Sequence, residues 1–223
     1  SGEWKESMRI RAPFRSALFR GLGELIAGRG WGWPTFMRGA YGKRMKKCRN
    51  EGSPNLEISE LQIREERPGD QTAIYEVTRV AFEPMPYSDG NEQELVDLLR
   101  ENGALTISLV ATRRDEVVGH VAFSPADSQT PGWYSLGPVS VLPELQRQGI
   151  GRKLIGEGLD RLRSLGAVGC ILVGDPRYYS QVGFQPAPES APGRQPAEFF
   201  MVSFLSGEPT PIPELDFHST FYQ

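Results

Sequence analysis

The stretch best suited to hold a ligand is Gln146-Arg147-Gln148-Gly149-Ile150-Gly151, followed at once by Arg152 and Lys153. Before it, Trp133 to Val141 reads as a strand, with β-branched Val139 and Val141 on either side of Ser140. Pro143 cannot donate to a ladder and should end that strand. After it, Ile150, Leu154, Ile155, Leu159, Leu162 and Leu165 fall on one face of a helix from about Gly149 to Leu165, with Gly166 placed as its stop. A helix start leaves its first N–H groups without partners, and its dipole favours negative charge. Glycines at 149 and 151 let a ligand approach the backbone closely. Arg152 and Lys153 oppose the dipole of a bare helix but suit a nearby anion. The spacing therefore reads as a cradle for a phosphate or pyrophosphate, with an ordinary strand–helix turn as the plain alternative. Neither the GxxxxGK[ST] nor the GxGxxG spacing is present, which argues against a Walker A loop and a Rossmann dinucleotide site.

Downstream, Ala167 to Val173 reads as the next buried strand and runs into GDPRYYSQVGF, where Tyr179 stands four residues before Gly183-Phe184. Two motifs now stand in order. Gln146-x-x-Gly149-x-Gly151 after a strand is similar to the [RQ]-x-x-G-x-[GA] motif of the GNAT superfamily of N-acetyltransferases. Tyr179-x-x-x-Gly183-Phe184 is similar to that superfamily's later tyrosine motif, and the GDP-x-Y-Y wording resembles its YhbS-like subgroup. The resemblance covers about Leu56 to Gln223. Where many members carry an asparagine after the fifth strand, this chain has Gly174-Asp175.

The resemblance implies acetyl-CoA as co-substrate and an amine as acceptor. Acetyl transfer needs a held pyrophosphate, a polarised thioester carbonyl, a deprotonated amine and a protonated leaving thiolate. By the resemblance, Gln146, Arg147, Gln148, Gly149, Ile150, Gly151, Arg152 and Lys153 would hold the pyrophosphate. Main-chain groups of Val139, Ser140 and Val141 would orient the pantetheine arm and the carbonyl. Tyr179 would be the general acid, since a phenol keeps its proton at neutral pH; Tyr178 is the neighbour that could be confused with it. For the base, His120 is a candidate by its ordinary titration range, on the strand face shared with Ala122 and Ser124; a hydrogen-bonded structural histidine is the alternative. Glu83 and Glu94 are further candidates, otherwise solvated surface charges. His120 and His218 are the only histidines, on distant strands, so no metal site is expected.

Bulk properties set the frame. The chain has 223 residues, enough for one domain with an extension. No run of about 18 apolar residues is present, so no membrane span is expected. Cys48 and Cys170 are far apart, in neither a metal nor a disulfide pattern, and a reducing cytoplasmic compartment is the expectation. Charge is uneven. Residues 1–50 hold 12 Lys and Arg against 3 Glu, while the rest hold 13 basic against 25 acidic residues. A basic, poorly ordered extension over 1–55 thus precedes an acidic domain over 56–223. The acidic body would steer a cationic acceptor.

The expected elements are a strand over 56–66 and a helix over 71–82, capped by Asp70, with Ile74, Val77, Thr78 and Ala81 inward. A second helix over 92–102 follows, capped by Asn91, with Leu95, Leu98 and Leu99 inward. Strands over 105–112 and 117–124 pair through a turn at Arg113–Glu116. Strands over 199–205 and 216–221 close the chain. The fold class is α/β (α+β), a mixed, mostly antiparallel sheet flanked by helices, which the resemblance also implies. Acceptor loops are expected at 83–90, 125–131 and 187–196. The leading function is an acetyl-CoA-dependent N-acetyltransferase acting on a small-molecule or protein amine. The alternative is a non-catalytic acyl-CoA-binding or regulatory domain whose basic arm contacts a partner. Nucleic-acid binding through residues 1–50 is the weakest reading, and a homodimer through the C-terminal strands stays open.

Overall fold

The computed structural model describes residues 61–223 except 86–87, 89 and 208–210, so the reading of the basic extension lies outside the described residues. The described chain runs β1 (Leu61–Glu65), α1 (Gln71–Phe82), α2 (Glu92–Glu101), β2 (Ile107–Arg113), β3 (Glu116–Pro125), β4 (Asp127–Ser128) and β5 (Trp133–Val141). It continues with α3 (Ile150–Ser164), β6 (Gly169–Val173), α4 (Pro176–Tyr179), β7 (Gln185–Pro186), β8 (Phe200–Phe204) and β9 (Leu215–Asp216). Seven strands form one sheet in the order β1-β2-β3-β5-β6-β8-β7, while β4 and β9 pair separately. Within the large sheet only β5 and β6 are parallel. The β2–β3 hairpin turns at Arg114 and Asp115, both with positive φ, as a two-residue turn matching strand twist requires.

The strand alternation divides the two faces. Leu109, Ala111, Val121 and Phe123 point to the α3 side and pack with Leu154, Ile155 and Leu159. Val110 points the other way, onto Ile74 of α1 and Val96 of α2. Beyond α2 that same face is covered by the C-terminal segment, where Leu215 and Phe217 pack with Trp133, Ile171 and Phe200.

Several sequence expectations change. Asp70 precedes α1 but its carboxylate makes no cap bond; it accepts from Arg64 at 2.6 and 3.0 Å and from the Arg67 amide at 2.7 Å instead. Asn91 likewise makes no side-chain cap. The inner stripe of α2 is Glu92, Val96 and Leu99 with Gln93, whereas Leu95 and Leu98 are only partly covered. Leu165 lies past the end of α3 and is 60% exposed. The last strand is Leu215–Asp216, and Ser219–Tyr222 forms a 3₁₀ turn held by the His218 cap on Thr220. The loop after β3 contains β4, which pairs with β9.

His120 is fully buried between β2 and β5. Its Nε2 lies 2.9 Å from the Ser108 hydroxyl, which also bonds the Glu66 carboxylate, itself held by Arg100 at 2.9 Å. Ser108 has one proton, and Glu66 can only accept it, so His120 Nε2 must carry the donor hydrogen. His120 Nδ1 is then a bare acceptor, and it has no hydrogen-bond partner. Burial, reinforced by the Arg100 charge, pushes the His120 pKa down to about 3. Below the ordinary value of 6.5, the unfolded chain takes up a proton that the folded chain refuses. Stability should therefore fall as pH drops from 6.5, by about 1.4 kcal/mol per pH unit from this group. Chemical denaturation of the parent and His120→Gln at pH 7, 6 and 5 checks this. The variant should show the shallower dependence, and parallel curves would contradict the assignment.

Candidate functional site

The site begins with a break in pairing. β5 and β6 are matched only at Trp133–Gly169, Tyr134–Cys170 and Ser135–Ile171, although β5 continues to Val141. On its other edge β5 stays paired with β3 to the end, through Val139–Val121, Ser140–His120 and Val141–Gly119. Between Leu136 and Val139 it carries two residues, Gly137 and Pro138, where β3 carries only Ala122. This bulge bends the strand immediately after its last pair with β6. A wedge opens between the two strands from Leu136 onward.

Ladder alternation fixes what faces the wedge. The Leu142 amide donates to Val118 at 3.0 Å, so Ser140 turns its main chain to β3 while Val139 and Val141 turn theirs to the wedge. The Ser140 side chain lies on the α1 face and meets the Thr78 hydroxyl at 3.1 Å. The three residues expected to line the cofactor thus divide. Val139 and Val141 present backbone, and Ser140 ties the strand to α1.

At the end of β5 the chain makes a short 3₁₀ turn and enters the glycine loop. Gln146 donates from Nε2 to the Val141 carbonyl at 3.0 Å, so it tethers the loop to the strand. Gln148 donates to the Glu144 carbonyl at 3.3 Å. Gly149 is the N-cap of α3 at φ 84°, a left-handed conformation that favours glycine. It has no side-chain cap, and the first turn holds no acidic residue. The first i→i−4 bond is Lys153 to Gly149 at 3.1 Å, so the amides before it lack helical partners. Arg147, Arg152 and Lys153 are exposed around them. Unpaired amides, a helix dipole and three cations fit a pyrophosphate.

The second motif places two tyrosines. Asp175 caps α4, accepting from the Arg177 amide at 2.9 Å. The Phe184 amide donates back to the Tyr179 carbonyl at 3.2 Å through a turn with Gly183 at φ 92°. Phe184 then packs edge-on against Tyr179 at 6.1 Å between centroids. This is the physical content of Tyr-x-x-x-Gly-Phe. Gly174 lies under the Tyr179 ring, where a Cβ would come within 2.2 Å of Cε2. Tyr178 points elsewhere: its hydroxyl sits 2.7 Å from where a Gly151 Cβ would be. Burial raises the Tyr178 pKa against the opposing charge of Arg152. Arg152 in turn meets Gln181, joining the first turn of α3 to the segment after α4.

The base candidates are scattered. His120 shares the Ser140 face but is enclosed and holds its neutral form well below neutral pH. Glu83 is exposed beside Arg79 at 3.6 Å, and Glu94 is exposed. Their neighbour Glu92 is only 6% exposed, which sequence reading passed over. The signal was its spacing of four and seven residues before Val96 and Leu99. Near Trp133, at the other end of β5 from the glycine loop, loops 125–131 and 187–196 meet across a cavity of about 640 Å³ whose lining includes Asp127, Glu189, Glu214 and Asp216. Among the described residues no helix is long and apolar enough to cross a membrane, and no His, Cys, Asp and Glu group is placed to hold a metal ion.

Comparison with known proteins matches this arrangement. The profile of the Acetyltransferase (GNAT) family fits residues 72–184. The uncharacterized N-acetyltransferase YhbS of Escherichia coli K12 is 42% identical over 128 residues, covering 56% of this chain and 74% of the relative. A GNAT family acetyltransferase from Brucella melitensis, solved in complex with acetyl-CoA, is 45% identical with a TM-score of 0.64, over 72% of this chain and 97% of that one. YhbS from E. coli, solved with CoA, superposes with a TM-score of 0.64 at 34% identity, over 77% and 96% of the two chains. The family profile spans β5, the glycine loop and the tyrosine turn, and the chain belongs to the GNAT family of N-acetyltransferases.

Proposed function

We propose that this chain moves an acetyl group from acetyl-CoA to a primary amine by direct attack, with Tyr179 as the general acid. The observation that carries the reading is the wedge between β5 and β6 with the positively charged start of α3 at its mouth. The acetyl-CoA and CoA held by the Brucella and E. coli relatives support it. The co-substrate supplies an activated acetyl thioester. The amides at the start of α3, with Arg147, Arg152 and Lys153, hold its pyrophosphate. Main-chain groups of Val139 and Val141 extend the β5 edge toward the pantetheine arm and orient the carbonyl. Tyr179 gives its phenolic proton to the departing sulfur. Gln146 acts through the loop it tethers.

Isothermal titration with acetyl-CoA tests the first part. The parent should bind, and Gly149→Glu should bind at least about tenfold more weakly, since it sets a carboxylate at the anion cradle and strains a left-handed position. No binding by the parent would overturn the reading. Binding without acetylation of any amine would instead favour an acyl-CoA-binding domain.

Thiol release across a panel of primary amines tests the second part. Tyr179→Phe should lower kcat by about 10²–10⁴-fold and leave acetyl-CoA affinity unchanged. Gly174→Ala should lower kcat by a smaller factor, because its Cβ would meet the Tyr179 ring at 2.2 Å and displace it. Full activity in Tyr179→Phe would remove Tyr179 from the mechanism.

A further inference from the structure

Glu92 and Gln93 open α2, in a first turn where such side chains ordinarily meet water. Here they are 6% and 4% exposed. The Glu92 carboxylate accepts from the Ser88 hydroxyl at 2.7 Å. Among the described residues no lysine or arginine is paired with it. Gln93 donates from Nε2 to the Gly90 carbonyl at 2.6 Å, which fixes the orientation of its amide. Its Oε1 is left enclosed with no hydrogen-bond partner. A buried acceptor without a donor is costly and marks a place where a donor belongs.

Their position follows from the packing. Ile74 of α1 and Val96 of α2 meet over Val110. One turn further along α1 is Thr78, which bonds Ser140 of β5. One turn back along α2 is Glu92, on the same stripe as Val96 and Leu99. α1 and α2 pack against each other, and Glu92 stands at the start of α2, one turn before its contact with Ile74 through Val96. It stands on the α1/α2 side of the β5 segment whose Val139 and Val141 edge opens into the wedge, and α2 itself packs against β5.

We propose that Glu92 and Gln93 are the amine-binding end of the acceptor site. The acceptor is a primary alkylammonium, held by the Glu92 carboxylate and the Gln93 carbonyl. This rests on the acetyltransferase reading above. Glu92 takes one ammonium proton and passes it to solvent. The freed nitrogen lone pair forms the C–N bond as the thioester C–S bond breaks. Sulfur leaves with the bonding pair and receives the Tyr179 proton. The second N–H proton returns to the tyrosine oxygen, so one proton is released per turnover.

Two coenzyme A conjugates test this without knowledge of the natural acceptor. S-aminoethyl-coenzyme A carries an ammonium two carbons from sulfur, one bond beyond the place of the attacking nitrogen and so close to where the amine approaches. S-propyl-coenzyme A has nearly the same shape and no charge. The full chain should bind the aminoethyl form about tenfold or more tightly than the propyl form. In Glu92→Gln, an isosteric change, that ratio should fall to near one while the propyl affinity stays as in the parent. Gln93→Leu, which removes the second acceptor, should lower the ratio by about threefold. A ratio of one in the parent, or an unchanged ratio in both variants, overturns the assignment. A parent that binds neither conjugate nor coenzyme A overturns instead the reading on which the assignment rests.

Discussion

The structure depends on one extra residue in β5. A strand between two neighbours can follow both only while its residues match theirs one for one. Gly137 and Pro138 oppose the single Ala122, and β5 recovers its register with β3 at Val139. Its register with β6 ends at Ser135. The strand keeps its antiparallel partner and leaves the parallel one. Pro138, which has no amide hydrogen, sits at the departure. Main-chain groups in a sheet interior left without partners would be a heavy cost. They become an asset where a ligand with amides and carbonyls of its own completes the ladder.

The rest of the site hangs from that edge. Gln146 bonds the last carbonyl of β5 and so fixes where the loop starts, and Gly149 fixes how α3 begins. Leu154, Ile155 and Leu159 then anchor α3 on the sheet, so the unpaired amides at its start cannot drift from the wedge. On the β6 side, Gly174 and Phe184 hold the Tyr179 ring between them, and Arg152 with Gln181 joins the two halves across the opening. Each piece of side-chain chemistry is set by a neighbour chosen for shape.

Much of this was legible in the sequence, and the limits are physical. β5, α3 and the two motifs were readable because strong periodicity met turn residues in the right places. Asp70 and Asn91 were good caps by type, but Asp70 pairs with Arg64, six residues back at the end of β1, a partner that a capping rule read along the helix does not consider. Hydrophobicity points to Leu95, Leu98 and Leu99 as the inner stripe of α2, and of these only Leu99 is buried. The helix also turns Glu92, Gln93 and Val96 inward, with Val96 packed on Ile74 of α1 and Val110 of β2. The bulge was hidden because a strand read over Trp133 to Val141 says nothing of its partner's residue count, and only the register of β3 shows that two residues oppose one. His120 sat on a polar-looking face, but its complete burial depends on α1 lying across it.

The two faces of the sheet divide the work of stability and chemistry. On the α3 side the buried residues are almost all apolar, from Leu109 to Phe123 and from Leu154 to Leu162. The opposite face buries Thr78, His120, Ser124, Ser135 and Ser140. Three contacts satisfy most of these groups: Thr78 with Ser140, Ser108 with His120, and Ser124 with Ser135. A polar row contributes less to folding than apolar side chains of equal size, because each hydrogen bond largely replaces one with water. Its value is geometric. The Thr78–Ser140 bond holds α1 on β5 against sliding that methyl packing would tolerate, while the other two bonds join neighbouring strands. The β5 edge beside Val139 is thereby tied to α1, with α3 supplying the stability that the polar face gives up.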